Sequence, residues 1–307
     1  MIYLRLIRWP NLFIMAFTMM LVRYKLILPQ LRQAGIEVAT SANTFIFLVI
    51  SVLLIAAGGF VINDIMDLNA DKINKPKKQF VGKGISVSLA LNLYWTLTGA
   101  AILCSIYAGY MVQNWRISFV IVIMAGLMWF YSKRYKKMLL LGNIVVAFAS
   151  AMVLLIVWLA EFFALQSDAF TFTNASPVFP MITGMVMAYT FFAFLSSIVR
   201  ELVKDTEDMD GDAQFGIQSF PIVYGEANAK NTAIGLMAIL LLMIGFWQFI
   251  LFQQDYYNAF LSMFVAATFC VLAIIRLATA AKIKHYGQTS FILKLLMVSG
   301  ISSMLFL

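Results

Sequence analysis

The stretch NDIMDLNADKINKPKK, residues 63–78, decides how the rest of the chain is interpreted. It follows directly on TFIFLVISVLLIAAGGFVI, residues 44–62, an uninterrupted apolar run that is long enough to cross a bilayer as a helix. Three carboxylates and an asparagine therefore stand where a hydrophobic helix ends, and lysines come close behind them. A solvated helix end is the ordinary explanation for such charge, so the remainder of the chain has to show whether this cluster has another role.

The composition is that of an integral membrane protein. Of 307 residues, 63% are hydrophobic and only 12% are charged, whereas a soluble domain has roughly 45–50% apolar and about 25% charged residues. A run of about 17–25 apolar residues crosses the hydrocarbon core as a helix. The sequence predicts an all-α chain with nine such spans, the fourth of them short, near residues 11–30, 43–62, 86–110, 117–132, 141–162, 178–199, 229–252, 257–280 and 289–307.

The basic residues predict the orientation of these spans. With the N-terminus inside, 18 of the 22 Lys and Arg residues fall on the cytoplasmic side, as the positive-inside rule requires. We therefore expect a multi-pass protein of the cell membrane with a cytoplasmic N-terminus. The net charge of +8 then reflects topology and an anionic partner, and nucleic acid is not expected because the sequence contains no soluble basic domain.

The cysteines and the histidine limit the kind of metal that the chain could bind. Cys104 and Cys270 lie inside apolar runs without C-x-x-C spacing, and His285 is the sole histidine. Packing is the expected role of both cysteines, and a zinc or haem site is not expected. A bound metal would need oxygen ligands, which favours Mg²⁺ or a similar hard cation.

The segment after the second span offers such oxygen ligands. On a helix that continues beyond the apolar run at about 100° per residue, four side chains lie within an arc of roughly 100°: Asn63, Asp64, Asp67 and Asp71. The negative end of the helix dipole disfavours each of these carboxylates by a few tenths to about 1 kcal/mol, and the carboxylates repel one another. Bound divalent cations would offset both effects.

A second acidic segment, RELVKDTEDMDGDAQFG from residue 200, repeats the first. Its carboxylates have the same D-x-x-D-x-x-x-D spacing at an offset of 141 residues (205 minus 64): Asp205, Asp208 and Asp212. Each copy ends a predicted span on the cytoplasmic side, and the copies are four spans apart. The sequence therefore predicts two four-helix-related halves, each with one acidic motif. Glu207 and Asp210 project to the opposite face of the second motif and are expected in solvent.

Two acidic motifs in a helical membrane protein suit one class of substrate. A prenyl diphosphate carries several negative charges, so Mg²⁺ ions would have to bridge Asp oxygens and phosphate oxygens and stabilise the departing diphosphate. The allylic cation left behind needs apolar, aromatic walls that exclude water, and the chain contains 27 Phe, 12 Tyr and 6 Trp. The pattern indicates transfer of a prenyl group.

On these motifs the chain resembles the UbiA superfamily of intramembrane prenyltransferases over nearly its whole length. N-D-x-x-D-x-x-x-D occurs at residues 63–71 and D-x-x-D-x-x-x-D at residues 205–212. The resemblance implies a single domain over residues 1–307, with nine helices around a central cavity and a cytoplasmic active site. It implies catalysis by Asp67, Asp71, Asp208 and Asp212, and binding of Mg²⁺ by Asn63, Asp64, Asp67, Asp71, Asp205, Asp208 and Asp212.

The residues that would bind the diphosphate are less well defined by the resemblance. Many members carry Y-x-x-x-K after the fourth span, but this chain reads WFYSKRYKKMLLLGN from residue 129, so the motif is absent in that register. The candidates are basic residues near the two motifs and the polar residues of IRWPN at residues 7–11: Lys133, Arg134, Lys136, Arg200, Lys204, Lys75, Lys78, Arg8 and Asn11.

The acceptor stays open between two chemistries. The sequence around GIQSFPIVYG, residues 216–225, resembles that of geranylgeranylglycerol-phosphate geranylgeranyltransferases. Homogentisate and chlorophyll prenyltransferases have a similar sequence at this place. We expect a polyprenyl diphosphate as donor and a lipid or aromatic acceptor, either a prenylated glycerol phosphate or a quinone precursor. The alternative is a membrane transporter that binds an ion or substrate at the paired acids, although transporters normally place such groups near the bilayer midplane.

Overall fold

A computed structural model describes residues 2–74 and 79–307, and this part of the chain is helical and contains no strand. The helices in chain order are α1 (Ile2–Leu6), α2 (Trp9–Leu21), a π-helical segment (Val22–Ile27), α3 (Leu28–Gln33), α4 (Ala42–Met66), α5 (Leu68–Asn74), α6 (Val87–Met111), α7 (Arg116–Lys133), α8 (Leu141–Leu165), α9 (Ala169–Ala175), α10 (Phe179–Glu207), α11 (Met209–Gln214), α12 (Phe220–Tyr224), α13 (Glu226–Gln253), α14 (Tyr257–Ala278) and α15 (Ile283–Ser302).

The predicted number of membrane spans is confirmed. Within the described residues, nine helices or helix groups are long and apolar enough to cross a bilayer, and the fourth, Arg116–Lys133, is short as predicted. The sixth, Ala169–Glu207, has 39 residues, far more than the predicted 178–199. Pro177 lies in the 3₁₀ turn Ser176–Val178 between α9 and α10, because proline has no N–H to continue the α-helical hydrogen bonding. The chain is a multi-pass membrane protein.

Several of the basic residues in the charge count lie inside the spanning helices. Lys294 belongs to α15, which begins at Ile283 rather than near residue 289. Arg23 belongs to the π-helical segment of the first span, where the N–H of Leu28 reaches back to the Arg23 carbonyl. The charge count thus includes residues of the spans as well as of the loops. The orientation still rests on the other basic residues and stays a prediction.

The chain divides into two compact units, which are described separately. The first contains residues up to 135 together with 153–186, and the second contains residues 136–152 together with 187–307. Each unit contains one acidic motif. The expectation of a single domain around a central cavity stays a prediction.

In the first unit, α4 packs closely against its neighbours because two adjacent glycines face them. A Cβ at Gly58 would lie 3.2 Å from Thr98 Oγ1 of α6, and one at Gly59 would lie 3.6 Å from Met128 of α7. Membrane helices approach closely where small residues line the contact. The packing continues to Val61, which is fully buried, and so fixes the end of α4 that carries the first motif.

In the second unit, α13, α14 and α15 pack around a continuous buried core that includes Met237, Cys270 and Leu293. Cys270 is fully buried and its Sγ donates to the Met237 carbonyl at 3.4 Å, in agreement with the packing role predicted for it. The Tyr286 hydroxyl donates to Glu226 Oε1 at 2.5 Å. This bond joins the start of α13 to the first turns of α15.

A buried carboxylate of α8 holds the loop that precedes α4 in the first unit. Glu161 is only 2% exposed, and its Oε1 accepts from the backbone N–H of Ala39 at 2.6 Å. Its Oε2 accepts from the N–H and the hydroxyl of Thr40. Arg23 donates to Thr40 Oγ1 and to the Thr40 carbonyl, both at 2.6 Å, and its guanidinium lies 4.6 Å from the Phe45 ring centroid. Loop, π-helical segment and α8 are thereby joined in one network.

We predict that Glu161→Ala destabilises the protein strongly, because the two backbone N–H groups and the Thr40 hydroxyl lose their acceptor inside the protein. Removing one partner of a buried charged network costs about 3–5 kcal/mol. The measurement is the melting temperature of the purified protein in detergent. Glu37→Gln is the matched control, since Glu37 lies in the same loop but is exposed. Equal melting temperatures for Glu161→Ala and Glu37→Gln would contradict the role of the network.

Candidate functional site

The first acidic motif lies at a break between two helices. α4 ends at Met66, Asp67 has φ −88° and ψ 4°, and α5 begins at Leu68. The N–H of Asp67 bonds to the Asn63 carbonyl at 2.9 Å, and the N–H of Asp71 bonds to the Asp67 carbonyl at 2.9 Å. The prediction of one continuous helix through this segment was wrong, because spacing shows a periodicity but not the bend at Asp67.

The second motif has the same local backbone. α10 ends at Glu207, Asp208 has φ −93° and ψ 1°, and α11 begins at Met209. The N–H of Asp208 bonds to the Lys204 carbonyl at 2.9 Å, and the N–H of Asp212 bonds to the Asp208 carbonyl at 3.1 Å. Each bond corresponds to one in the first motif at an offset of 141 residues (208 minus 67). The repeat is therefore structural as well as sequential.

In the first motif, an amide and a carboxylate form a pair that leaves one buried oxygen unsatisfied. Asn63 Nδ2 donates to Asp67 Oδ2 at 2.7 Å, which confirms that these two side chains share a face. Asn63 Oδ1 is buried and has no hydrogen-bond partner. A buried polar atom without a partner costs about 1–3 kcal/mol, so this oxygen is available for a ligand that accepts its lone pairs.

Asp64 lies beside an arginine from the N-terminal segment. Arg8 Nη2 donates to Asp64 Oδ1 at 2.7 Å, and the Arg8 guanidinium lies 4.8 Å from the Phe60 ring centroid. Arg8 stands between α1 and α2 in the left-handed region, with φ 53° and ψ 51°, a conformation that non-glycine residues adopt only under constraint. The N–H of Asn11, in the first turn of α2, bonds to the Arg8 carbonyl at 2.8 Å. The N-terminal candidates Arg8 and Asn11 are thus close to the first motif.

Asp205, the counterpart of Asp64, has an amide partner instead. Asn143 Nδ2, at the start of α8, donates to Asp205 Oδ2 at 2.8 Å. Asn143 is only 7% exposed, and sequence reasoning missed it although it closes the quoted segment WFYSKRYKKMLLLGN. The signal was a single amide at the start of an otherwise apolar run. Asp212, the last carboxylate of the motif, is also 7% exposed.

The bases of the second motif surround a carboxylate that sequence reasoning also missed. Arg200 Nη1 lies 2.8 Å from Glu201 Oε1, and Lys204 Nζ lies 3.6 Å from Glu201 Oε2. Glu201 is 7% exposed and stands one helical turn before Asp205. The signal that could have identified it is the i, i+4 spacing, which extends the acidic face of α10 by one turn.

The remaining candidate residues lie near the C-terminal ends of α7 and α10. Lys133 and Arg134 are exposed at the end of α7, and Lys136 is half-buried in the 3₁₀ turn that follows. Lys75 and Lys78 lie outside the described residues. Asp210 is exposed as expected. The expectation for Glu207 was wrong, because its carboxylate is half-buried against Gly287 of α15.

The donor atoms at the motifs fit a hard divalent cation. In the described ranges 2–74 and 79–307, no three Asp, Glu, His or Cys side chains converge as a ready metal site. Mg²⁺ commonly takes one or two carboxylates and completes its shell with water and phosphate oxygens. The unsatisfied Asn63 Oδ1 beside the Asp67 carboxylate is a donor set of that kind.

Comparisons with known proteins identify the family of this chain. The sequence profile of the UbiA prenyltransferase family matches residues 33–293, a range that includes both motifs. The chain belongs to this family. It is 31% identical to digeranylgeranylglyceryl phosphate synthase of Saccharolobus solfataricus over 82% of this chain and 80% of that protein. It is 28% identical to the synthase of the same name from Methanococcus aeolicus over 80% of this chain and 78% of that protein.

Solved structures of UbiA proteins share the fold. A structure of digeranylgeranylglyceryl phosphate synthase in membranes superposes with a TM-score of 0.61 at 22% identity and covers 99% of this chain and 96% of that one. A UbiA homologue from Archaeoglobus fulgidus, bound to GPP and Mg²⁺, superposes with a TM-score of 0.57 at 15% identity and covers 99% of both chains. The predicted family, the all-helical fold and the assignment as a prenyltransferase are confirmed.

We predict that Asn143→Asp destabilises this UbiA protein, because a carboxylate would replace the amide donor that lies 2.8 Å from Asp205. Two ionised carboxylates at this distance repel each other, and neither can donate the hydrogen bond that the amide supplies. The variant should therefore unfold at a lower temperature than wild type.

The measurement is the melting temperature of Asn143→Asp and wild type in detergent at neutral pH. Asn228→Asp, a change of an exposed amide of the same unit, is the control and should melt as wild type does. Equal melting temperatures for Asn143→Asp and wild type would refute the role of the Asn143 amide.

Proposed function

We propose that this chain is a Mg²⁺-dependent prenyltransferase that transfers a prenyl group from a polyprenyl diphosphate to a lipid acceptor, a prenylated glycerol phosphate, within the membrane. Membership of the UbiA family and the names of the archaeal relatives support the reaction and this acceptor. A UbiA homologue bound to GPP and Mg²⁺ supports the donor class and the metal. A quinone precursor is the second candidate acceptor.

One observation carries the proposal: the same bend, with the same hydrogen bonds, presents two aspartates at the end of a membrane helix in each unit. Asp67 and Asp208 stand at the bends, and Asp71 and Asp212 follow four residues later. In each unit this carboxylate arrangement suits a divalent cation that completes its shell with water and phosphate oxygens. If these acids only solvated the ends of two helices, the two copies would not need to share both the backbone bend and the residue spacing.

Several residues of each motif fit a magnesium site. When bound, Mg²⁺ would neutralise the diphosphate charge and so make the diphosphate a better leaving group. Asn63, Asp67 and Asp71 would hold it at the first motif, and Asp208 and Asp212 at the second. Asp64 and Asp205 are bonded in their own units to Arg8 and Asn143, and we propose that they support the other acids of the motifs.

The basic candidate residues lie near the acidic motifs, where their positive charge suits the diphosphate. Lys204 directly precedes the second motif, Arg200 lies five residues before it, and Arg8 pairs with Asp64 of the first motif. In the reaction the allylic carbon–oxygen bond breaks and the diphosphate leaves with both electrons. The acceptor hydroxyl oxygen, or a ring carbon of an aromatic acceptor, then bonds to the allylic cation and loses a proton. Within the second unit, Arg200, Lys204 and Lys136 are the proposed contacts of the released diphosphate. Lys133 and Arg134, which belong to the first unit, stay candidates.

The transporter alternative is less well supported by the position of the acids. Transporters place their binding groups on broken helices near the bilayer midplane. Here the acids begin only in the last turn of α4 and of α10, and both bends follow the end of a spanning helix. An enzyme that meets a water-soluble diphosphate head group at the membrane surface accounts for that position.

The experiment that tests the proposed function offers the purified protein several radiolabelled prenyl diphosphates with two acceptors, a prenylated glycerol phosphate and a phenolic quinone precursor. We expect Mg²⁺-dependent product with the prenylated glycerol phosphate. Product only with the phenolic acceptor would overturn the lipid acceptor. Uptake of an ion into protein-containing vesicles, without any prenyl product, would favour the transporter.

We predict that Asp67→Asn and Asp208→Asn each lower the rate of prenyl transfer by at least about a hundredfold, because loss of one preorganised electrostatic contact typically costs 10²–10³ in rate. EDTA should abolish the wild-type activity and added Mg²⁺ should restore it. Asp210→Asn is the matched control, since this neighbouring carboxylate is exposed. Full activity in EDTA, or an equal loss in Asp210→Asn, would exclude the proposed metal site.

We also propose that the N-terminus and both motifs face the cytoplasm, as the distribution of basic residues favours. In a background with Cys104→Ser, Gln218→Cys should react with an impermeant thiol reagent only in opened membranes. Ser167 precedes the sixth span and Gln218 follows it, so Ser167→Cys should react in intact cells. Gln218 and Ser167 are both exposed. The reverse pattern of labelling would invert the topology.

A further inference from the structure

Glu201 is a buried carboxylate that belongs to neither acidic motif. It is 7% exposed and lies in α10 one turn before Asp205. Burying a carboxylate is expensive unless it is paired, and an acid at i+4 adds like-charge repulsion. Each of its oxygens faces a different cation, Arg200 at 2.8 Å and Lys204 at 3.6 Å. Glu201 is thus kept at an electrostatic cost that the two cations offset.

The internal repeat shows that this arrangement is particular to the second motif. At the offset of 141 residues, the counterpart of Glu201 is Phe60 (201 minus 141) and the counterpart of Lys204 is Asn63 (204 minus 141). Where the first motif has an aromatic ring and an amide, the second has an acid and a base. The two motifs keep the same backbone but differ in the charge that surrounds it.

The unsatisfied buried atoms differ in the same sense. At the first motif the unpaired atom is an acceptor, Asn63 Oδ1, and at the second it is a donor, Arg200 Nε. An acceptor without a partner fits a cation, whereas a guanidinium N–H without a partner fits an anion. The Nη1 of the same guanidinium is held by Glu201, so the direction of the Nε–H depends on that carboxylate.

We infer that Glu201 is a positioning residue for the donor substrate: it orients Arg200 and Lys204 so that both donate to the diphosphate at the second motif. The inference rests on the proposed function and deepens it, because it assigns diphosphate recognition to the second motif. The guanidinium is planar and its fork matches phosphate oxygens only in a fixed orientation. Without Glu201, both cations keep their charge but lose that orientation.

The test compares Glu201→Gln and Glu201→Asp with wild type by calorimetric binding of inorganic diphosphate in the presence of Mg²⁺. Glu201→Gln should weaken binding roughly tenfold, the lower range for loss of a partner that orients a ligand-binding group. It should raise the KM for the prenyl diphosphate but not the KM for the acceptor. Glu201→Asp, which keeps the charge, should recover most of the binding. Asp210→Asn is the control for loss of a nearby exposed negative charge and should bind as wild type does.

A double-mutant cycle separates positioning from a merely structural role. If Glu201 acts through Arg200 and Lys204, Glu201→Gln should have no further effect on diphosphate binding in an Arg200→Gln, Lys204→Gln background. Additive losses would overturn the inference. So would unchanged or tighter binding in Glu201→Gln, the latter meaning that Glu201 competes with the diphosphate for the two cations. If Glu201→Gln does not fold, Arg200→Lys decides the question: it keeps the charge but loses the planar fork, and unchanged diphosphate binding would overturn the inference.

The failure of this inference can be told apart from failure of the proposed function. A wild type that binds inorganic diphosphate but transfers no prenyl group refutes the function and leaves the binding test intact. A wild type that transfers prenyl groups while Glu201→Gln binds diphosphate normally refutes the inference alone. A wild type that does not bind inorganic diphosphate overturns the inference whatever its activity.

Discussion

The electrostatic cost of placing carboxylates at the carboxyl ends of two membrane helices governs the structure around both motifs. Unpaired carbonyls and the helix dipole make such an end negative, and each motif adds several acids. This cost is offset by different residues in the two units. Arg8, fixed in a left-handed conformation between α1 and α2, pairs with Asp64, whereas the Asn143 amide at the start of α8 donates to Asp205. A bound divalent cation would further offset the charge of the acids at and beyond the bends.

The bend itself follows from the same constraint. A straight helix would carry its acids onward at equal spacing along one face, with the dipole of the whole span behind them. Breaking the helix at Asp67, and again at Asp208, starts a new short helix whose first turn contains the next acid. Acids in a first turn are stabilised by the positive end of a helix, so Asp71 and Asp212 gain a favourable position from the interruption.

Sequence reasoning predicted the parts of this structure that depend on neighbouring residues. Apolar runs gave the nine spans, and spacing gave the shared face of Asn63 and Asp67. The partners of the acids could not be predicted, because Arg8 and Asp64 are 56 residues apart and Asn143 and Asp205 are 62 apart. Tertiary packing decides such pairs, and a single sequence contains no record of it. The bends were missed for a related reason, since an i, i+4 hydrogen bond is compatible with a straight or a bent helix.

The buried polar groups around Glu161 and those of the first acidic motif differ in how completely their hydrogen bonds are satisfied. Both oxygens of Glu161 accept hydrogen bonds from the loop before α4, so that carboxylate is saturated by the protein and serves the fold. Asn63 Oδ1 has no partner, although its own Nδ2 is well placed on Asp67. Arg23 Nε is unpaired as well, but its guanidinium already donates twice to Thr40 and lies on an aromatic ring. An unsatisfied buried acceptor is destabilising, and a bound cation would supply the partner that Asn63 Oδ1 lacks within the protein. Glu161 thus serves the fold, whereas the Asn63 oxygen suits a ligand.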